Sequence, residues 1–223
     1  MQNILSNIII SVNDKLYVKN PETSDLGKKI IQQSILLIDE IGFENFTFKK
    51  LGEKINSNES SIYRYFESKH KLMLYLSSWY WGWIEYRLVF ATTNINNPFE
   101  RLKKGISKVT EKIEDDSSTK HINESILNKI IIQEFTKTLL TKEVDEENKK
   151  DFFLVYKRVI NRIVELIEDV NPNYNFAKSL ASSIVEGALH QHFLKDHLKT
   201  ITNCDDTISP TDFYIDLIEK TLK

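Results

Sequence analysis

Only six glycines and four prolines interrupt the 223 residues, and between them apolar residues recur at spacings of three and four. That combination points to an all-α chain with short connections. After Asn97-Pro98, the set Phe99, Leu102, Ile106, Val109 and Ile113 marks one amphipathic helix, ended by the polar run DDSSTK. Ile122, Ile126 and Ile130 mark a second, reaching about residue 140. The apolar face from Phe152 to Ile167 predicts a third over 151–170, broken by Asn171-Pro172. Two more follow, over about 175–199 and 211–222, with Pro210 suited to the first turn of the last. Residues 143–150 are acidic and polar, with no apolar period. With 41% hydrophobic residues the chain can build one large core or two smaller ones.

Function is most legible between Thr47 and Leu72. Thr47 is a good N-cap, and Leu51 with Ile55 gives the apolar face of a two-turn helix. Asn56 can take the left-handed conformation that closes this helix, and Asn58 can cap a second one over 59–65. Only Ile62 and Phe66 are apolar on its inner side. Glu59, Ser60, Ser61, Tyr63, Arg64 and Tyr65 are left for an outward face. Ser68 caps a further, longer helix with Lys69 in its first turn. Two short helices joined by a tight turn are the layout of a helix-turn-helix reader of DNA. A helix over about 24–41 precedes them, with Ser24 as its cap, Ile31, Ile35 and Ile38 inward, and Gly42 at its C-terminal end. Before it, residues 8–12 and 16–19 flank Asn13-Asp14 in a pattern that fits a small β-hairpin, and Pro21 ends this arm.

Residues 26–75, with the spaced set Gly42, Thr47, Tyr63, Tyr65, Phe66, Lys69 and Leu72, resemble the DNA-binding head of the tetracycline-repressor (TetR) family of bacterial transcriptional regulators. The chain departs from the family pattern at Asn56-Ser57-Asn58, where the family has a Gly-hydrophobic-Ser turn. The resemblance implies nine helices in three parts. An arm spans 1–23, a three-helix DNA-binding head spans 24–71, and a helical ligand-binding and dimerisation body spans 72–223. It also implies that the third helix reads DNA and that Tyr63 and Lys69 touch phosphates. Side-chain chemistry adds Ser60, Ser61 and Arg64 as base-edge contacts, the last able to pair bidentately with guanine, and Thr47 and Tyr65 as further backbone contacts. The expected protein is a ligand-responsive regulator, a repressor in most of the family, that binds a pseudo-palindromic operator as a homodimer. The rival reading is a small-molecule-binding or scaffold protein of the same fold without operator binding. Charge bears on that choice, because the formal net charge is −2 and residues 25–72 carry eight Lys or Arg against seven Asp or Glu.

The helix after Ser68 is dense in rings. Trp79, Trp83, Tyr86 and Phe90 share a face, and they either pack a junction or line a cavity for a small, mostly apolar effector. Small residues at Ala177, Ala181, Ser182, Gly187 and Ala188 beside Leu180, Ile184 and Leu189, with Phe213, Leu217 and Ile218 on the last helix, suggest a dimer interface through 175–199 and 211–222. His190, His192 and His197, with Glu186, lack a converging partner set for a metal. No nucleophile–base order, paired carboxylates or phosphate loop suggests catalysis, and no cofactor is expected. One cysteine, Cys204, fits a reducing compartment. The apolar run at residues 4–12 is too short to span a membrane and has no basic flank of a signal peptide, so a cytoplasmic protein without membrane partners is expected.

Overall fold

A computed structural model describes residues 10–115 and 121–222, which contain ten α-helices, three short 3-10 turns and no strand. The helices are α1 (Asp25–Asn45), α2 (Phe48–Ile55), α3 (Glu59–Tyr63), α4 (Lys69–Thr92), α5 (Pro98–Thr110), α6 (Glu124–Leu139), α7 (Val144–Lys149), α8 (Leu154–Val170), α9 (Ala177–His197) and α10 (Pro210–Leu222). They fall into two compact units. The first joins the described residues up to Gly82 with Ile113–Phe153, and the second joins Trp83–Lys112 with the described residues from Leu154 onward. α6 and α7 belong with the helix-turn-helix segment, and α4 gives residues to both units.

In the first unit, the Ser24 hydroxyl accepts from the Gly27 amide and starts α1. Gly42 stands at φ 75°, a value that favours glycine, and kinks α1 near the end that the sequence implies, the helix continuing to Asn45. Ile30, Ile31, Ile35 and Ile38 are buried, and α6 packs on α1. α6 also receives the rings of α4: Trp81 lies 5.1 Å from Phe135, and the Asn128 amide donates to the Tyr80 hydroxyl at 2.8 Å. The acidic, polar run over 143–150 forms α7. Its inward residue Glu147 is held by His70 at 2.7 Å, a tertiary contact that no local pattern announces.

The hairpin expected in the arm is absent among the described residues, and residues 8 and 9 lie outside them. The Asn13 carboxamide instead accepts from the Lys15 amide and starts a 3-10 turn, Asp14–Leu16. Leu16 then buries completely.

The second unit is built from α5, α8, α9 and α10, with α8 packed on both α5 and α9 and α10 packed on α5 and α9. Close approach explains its small residues. A Cβ on Gly105 would come within 2.6 Å of Leu166 Cδ1, and one on Gly187 would run into the Tyr214 hydroxyl. Ala177, Ala181 and Ala188 are buried inside the unit, as are Ile184 and Ile218. The smallness of these alanines serves packing within one chain. Phe213 remains 42% exposed.

Glu85 is the main buried charge of this unit. Arg158 Nε and Nη2 donate to it at 3.0 and 2.6 Å, and Arg162 Nε donates at 2.8 Å. Burial disfavours the ionised carboxylate, but the two guanidiniums outweigh that and hold its pKa below the ordinary 4.5.

Candidate nucleic-acid interface

α2 and α3 are set against each other by backbone chemistry that their sequence dictates. The Thr47 hydroxyl accepts from the Lys50 amide at 3.2 Å and starts α2. Asn56 ends it in the left-handed conformation, φ 54° and ψ 46°, and the Ser57 amide returns to the Gly52 carbonyl at 2.9 Å. A Cβ on Gly52 would stand 2.8 Å from the Ser57 carbonyl oxygen, a backbone atom with no freedom to move aside. Only glycine lets the turn close this tightly. Leu51, Ile55, Ile62 and Phe66 are buried beneath the pair and seat α3 without an apolar residue in the turn itself.

Asn58 arranges the outer face of α3. Its carboxamide oxygen accepts from the Ser61 amide at 2.9 Å and from the hydroxyls of Ser61 and Ser60 at 2.6 and 2.8 Å. With their protons committed, both hydroxyls present lone pairs outward. Ser60 and Arg64 are exposed, and Ser61 is half-buried. Tyr63 is 49% exposed, its ring held edge-on against Phe48 at 5.0 Å. α3 is shorter than the predicted 59–65, because Arg64 is its C-cap. Thr47, Ser60, Ser61, Tyr63 and Arg64 thus share one small structure with hydrogen-bonding groups at or near its surface.

Tyr65 and Lys69 do not join them. Tyr65 is 4% exposed, and its hydroxyl bonds the Ser24 hydroxyl at 2.8 Å, so it is a packing residue. The Lys69 ammonium donates to the carbonyls of Phe43, Glu44 and Phe46 at 3.1, 3.1 and 3.3 Å. These three bonds use every proton it has. Its charge closes the end of α1.

The proposed effector residues scatter. Trp79 and Trp83 are buried, Tyr86 is half-buried with its ring stacked on Phe90, and Phe90 is 70% exposed, too open to line an enclosed cavity. Two clefts of the second unit are lined by other residues. One of about 240 Å³ is walled by Leu88, Thr92, Arg101, Arg162, Glu165 and Asp169. Another of about 530 Å³ lies against Gln191, Ile201, Cys204, Ile208 and Phe213. The three histidines separate too. His190 is exposed, His197 packs on Phe193 at 4.6 Å, and His192 Nε2 donates to the Thr110 carbonyl at 2.8 Å. Burial pushes the His192 pKa below its ordinary value, outweighing that bond. Among the described residues no cluster of three or more His, Cys, Asp or Glu could hold a metal ion, and no helix is long and apolar enough to cross a membrane.

Residues 30–76, which include α2 and α3, match the family model described as bacterial regulatory proteins, tetR family. Among solved structures, AibR in complex with isovaleryl coenzyme A and operator DNA is similar at 15% identity and a TM-score of 0.58, over 85% of this chain and 97% of that one. PfmR, a TetR family transcriptional regulator from Thermus thermophilus, is similar at 13% identity and 0.58, over 87% and 98%. The superantigen PfiT is similar at 14% identity and 0.58, over 87% and 95%. These likenesses show a shared fold. No curated protein matches the sequence.

Proposed function

We propose, on the match of residues 30–76 to the tetR-family model of bacterial regulatory proteins, that the chain is a ligand-responsive repressor that binds a pseudo-palindromic operator as a homodimer. The observation that carries this reading is the outer face of α3, where Ser60, Tyr63 and Arg64 stand exposed on a helix seated by the Gly52–Asn56 turn. Arg64 pairs with the O6 and N7 of a guanine. Ser60 and Ser61, with lone pairs outward, accept from an adenine or cytosine amino group. Tyr63 and Thr47 contact the phosphate backbone and fix the register.

Two copies double the small positive charge of the head and match a two-fold site whose halves lie about one helical turn apart. Phe213 supplies apolar surface for that pairing on α10, and the effector is a small, mostly apolar molecule held in the helical part beyond the head. AibR, of similar fold, has been solved with both operator DNA and an acyl coenzyme A.

A second reading, a same-fold binding or scaffold protein without operator contact, draws on the nearly balanced charge of residues 25–72 and on the commitment of Lys69 to protein carbonyls. A gel shift on the DNA upstream of its own gene separates them. The repressor reading predicts a discrete complex that unlabelled random DNA does not displace, and the second reading predicts no complex even at low salt.

A further inference from the structure

The electrostatic footprint of the head is smaller than its composition suggests. Of its eight basic residues, five direct their ammonium groups at the protein itself. Lys29 donates to the Ile55 carbonyl at 3.0 Å, Lys50 to the Asn45 carbonyl at 2.9 Å, and Lys69 to three carbonyls. Lys54 pairs with Glu40, and Lys71 donates to the Lys15 carbonyl at 3.3 Å while lying over the Phe152 ring. Lys28, Lys49 and Arg64 are left without such a partner among the described residues. Three cations per protomer, set against the six carboxylates left once Glu40 is paired with Lys54, make a weak DNA-backbone contact set.

The arm brings in another cation. The Val18 amide donates to the Tyr65 carbonyl at 2.8 Å, which fixes the segment across the end of α3. On either side it is anchored by Leu16, 1% exposed, and by Pro21, buried beneath Gly27. Lys19 follows Val18 directly. It is exposed, its ammonium lies 5.3 Å from the centre of the Tyr65 ring, and no carboxylate pairs with it among the described residues. A cation resting on a ring face keeps all three N–H donors for other acceptors. Tyr65 follows the C-cap of α3, so the Val18–Tyr65 bond brings Lys19 to the C-terminal end of that helix, and a helix lying in the major groove is flanked by strand phosphates.

We propose that Lys19 contacts the DNA backbone at the C-terminal end of the recognition helix, making the arm part of the DNA-binding surface. The inference rests on the DNA-binding reading above. Its test is fluorescence anisotropy of the full-length protein on a random-sequence duplex between about 50 and 200 mM salt, with Lys19→Ala, Lys19→Arg and Lys19→Glu. Lys19→Ala lowers the slope of log K against log salt by about 0.9 per protomer, hence about 1.8 for the homodimer, so the wild-type advantage shrinks roughly 12-fold across that range. Lys19→Arg restores the slope, Lys19→Glu weakens binding further, and all three melt with the wild type. Salt-dependent wild-type binding with an unchanged Lys19→Ala slope overturns the role of Lys19 and leaves the DNA-binding reading in place. Absence of wild-type binding at the lowest salt overturns both.

Discussion

The Lys69 ammonium stands 3.1 Å from the Phe43 carbonyl oxygen, just beyond the turn at Gly42. Phe43, Glu44 and Phe46 present their carbonyls toward it, and a cation there satisfies backbone acceptors that the end of α1 leaves open. Lys69→Met should therefore lower stability by about 1–2 kcal/mol, since charge-assisted bonds of this kind are each worth little more than that net of solvation. Urea unfolding reads the loss as a lower midpoint at unchanged slope. DNA titration should keep its salt dependence; a salt slope reduced by about one with an unchanged midpoint would return Lys69 to the DNA surface.

Gly52→Ala places a Cβ 2.8 Å from the Ser57 carbonyl oxygen. Either the turn opens or α3 tilts, and overpacking of this sort costs roughly 1–3 kcal/mol. DNA affinity should fall by more than the melting temperature indicates, because the outer face of α3 is displaced along with the turn. Wild-type affinity in a Gly52→Ala protein would show that the turn does not position the readers.

Glu85 ties α4 to two arginines of α8, and its pH dependence has a definite sign. Its folded pKa lies below the ordinary 4.5, so its stabilisation is complete above that value and is lost as pH falls through the folded pKa. Glu85→Gln should flatten the acid limb of stability below about pH 4.5. At neutral pH, Glu85→Ala should cost about 2 kcal/mol, less than a fully buried pair because the side chains of Arg158 and Arg162 are 46% and 42% exposed. Chemical denaturation across pH measures both.

His192 acts nearer neutrality. Its folded pKa is depressed by burial, so the unfolded chain takes up protons first as pH drops below the ordinary 6.5, and stability declines from there. His192→Gln keeps a donor for the Thr110 carbonyl and does not titrate. Melting temperatures between about pH 7 and 5.5 should converge, the wild type falling toward the variant. Parallel curves would place the neutral-range sensitivity elsewhere.

Local chemistry carried the sequence reading as far as it went. Ser24, Thr47, Asn58 and Asn97 all cap the helices that follow them, and Asn56 adopts the left-handed conformation its side chain suits. What sequence could not show depends on partners far along the chain. Nothing near Lys69 announces that its ammonium will meet the Phe43 carbonyl, and nothing near Tyr65 announces Ser24. α7 reads as a polar run because a contact that anchors it, Glu147 with His70, lies 77 residues away. The alanines of α9 carried a signal of close packing but no indication of which surface packs, and they face inward within their own chain. Lys19 was hidden for the same reason, since only the Val18–Tyr65 bond brings the arm to α3.

The central claim is that α3 reads sequence through Arg64. The most direct test compares binding of wild type and Arg64→Ala to a duplex selected from a random pool and to the pool itself, at one salt concentration. A preference for the selected duplex that Arg64→Ala reduces by roughly 1–3 kcal/mol, with a smaller change on the pool, is the predicted result. Equal losses on both DNAs, or a wild type that binds them alike, would contradict it.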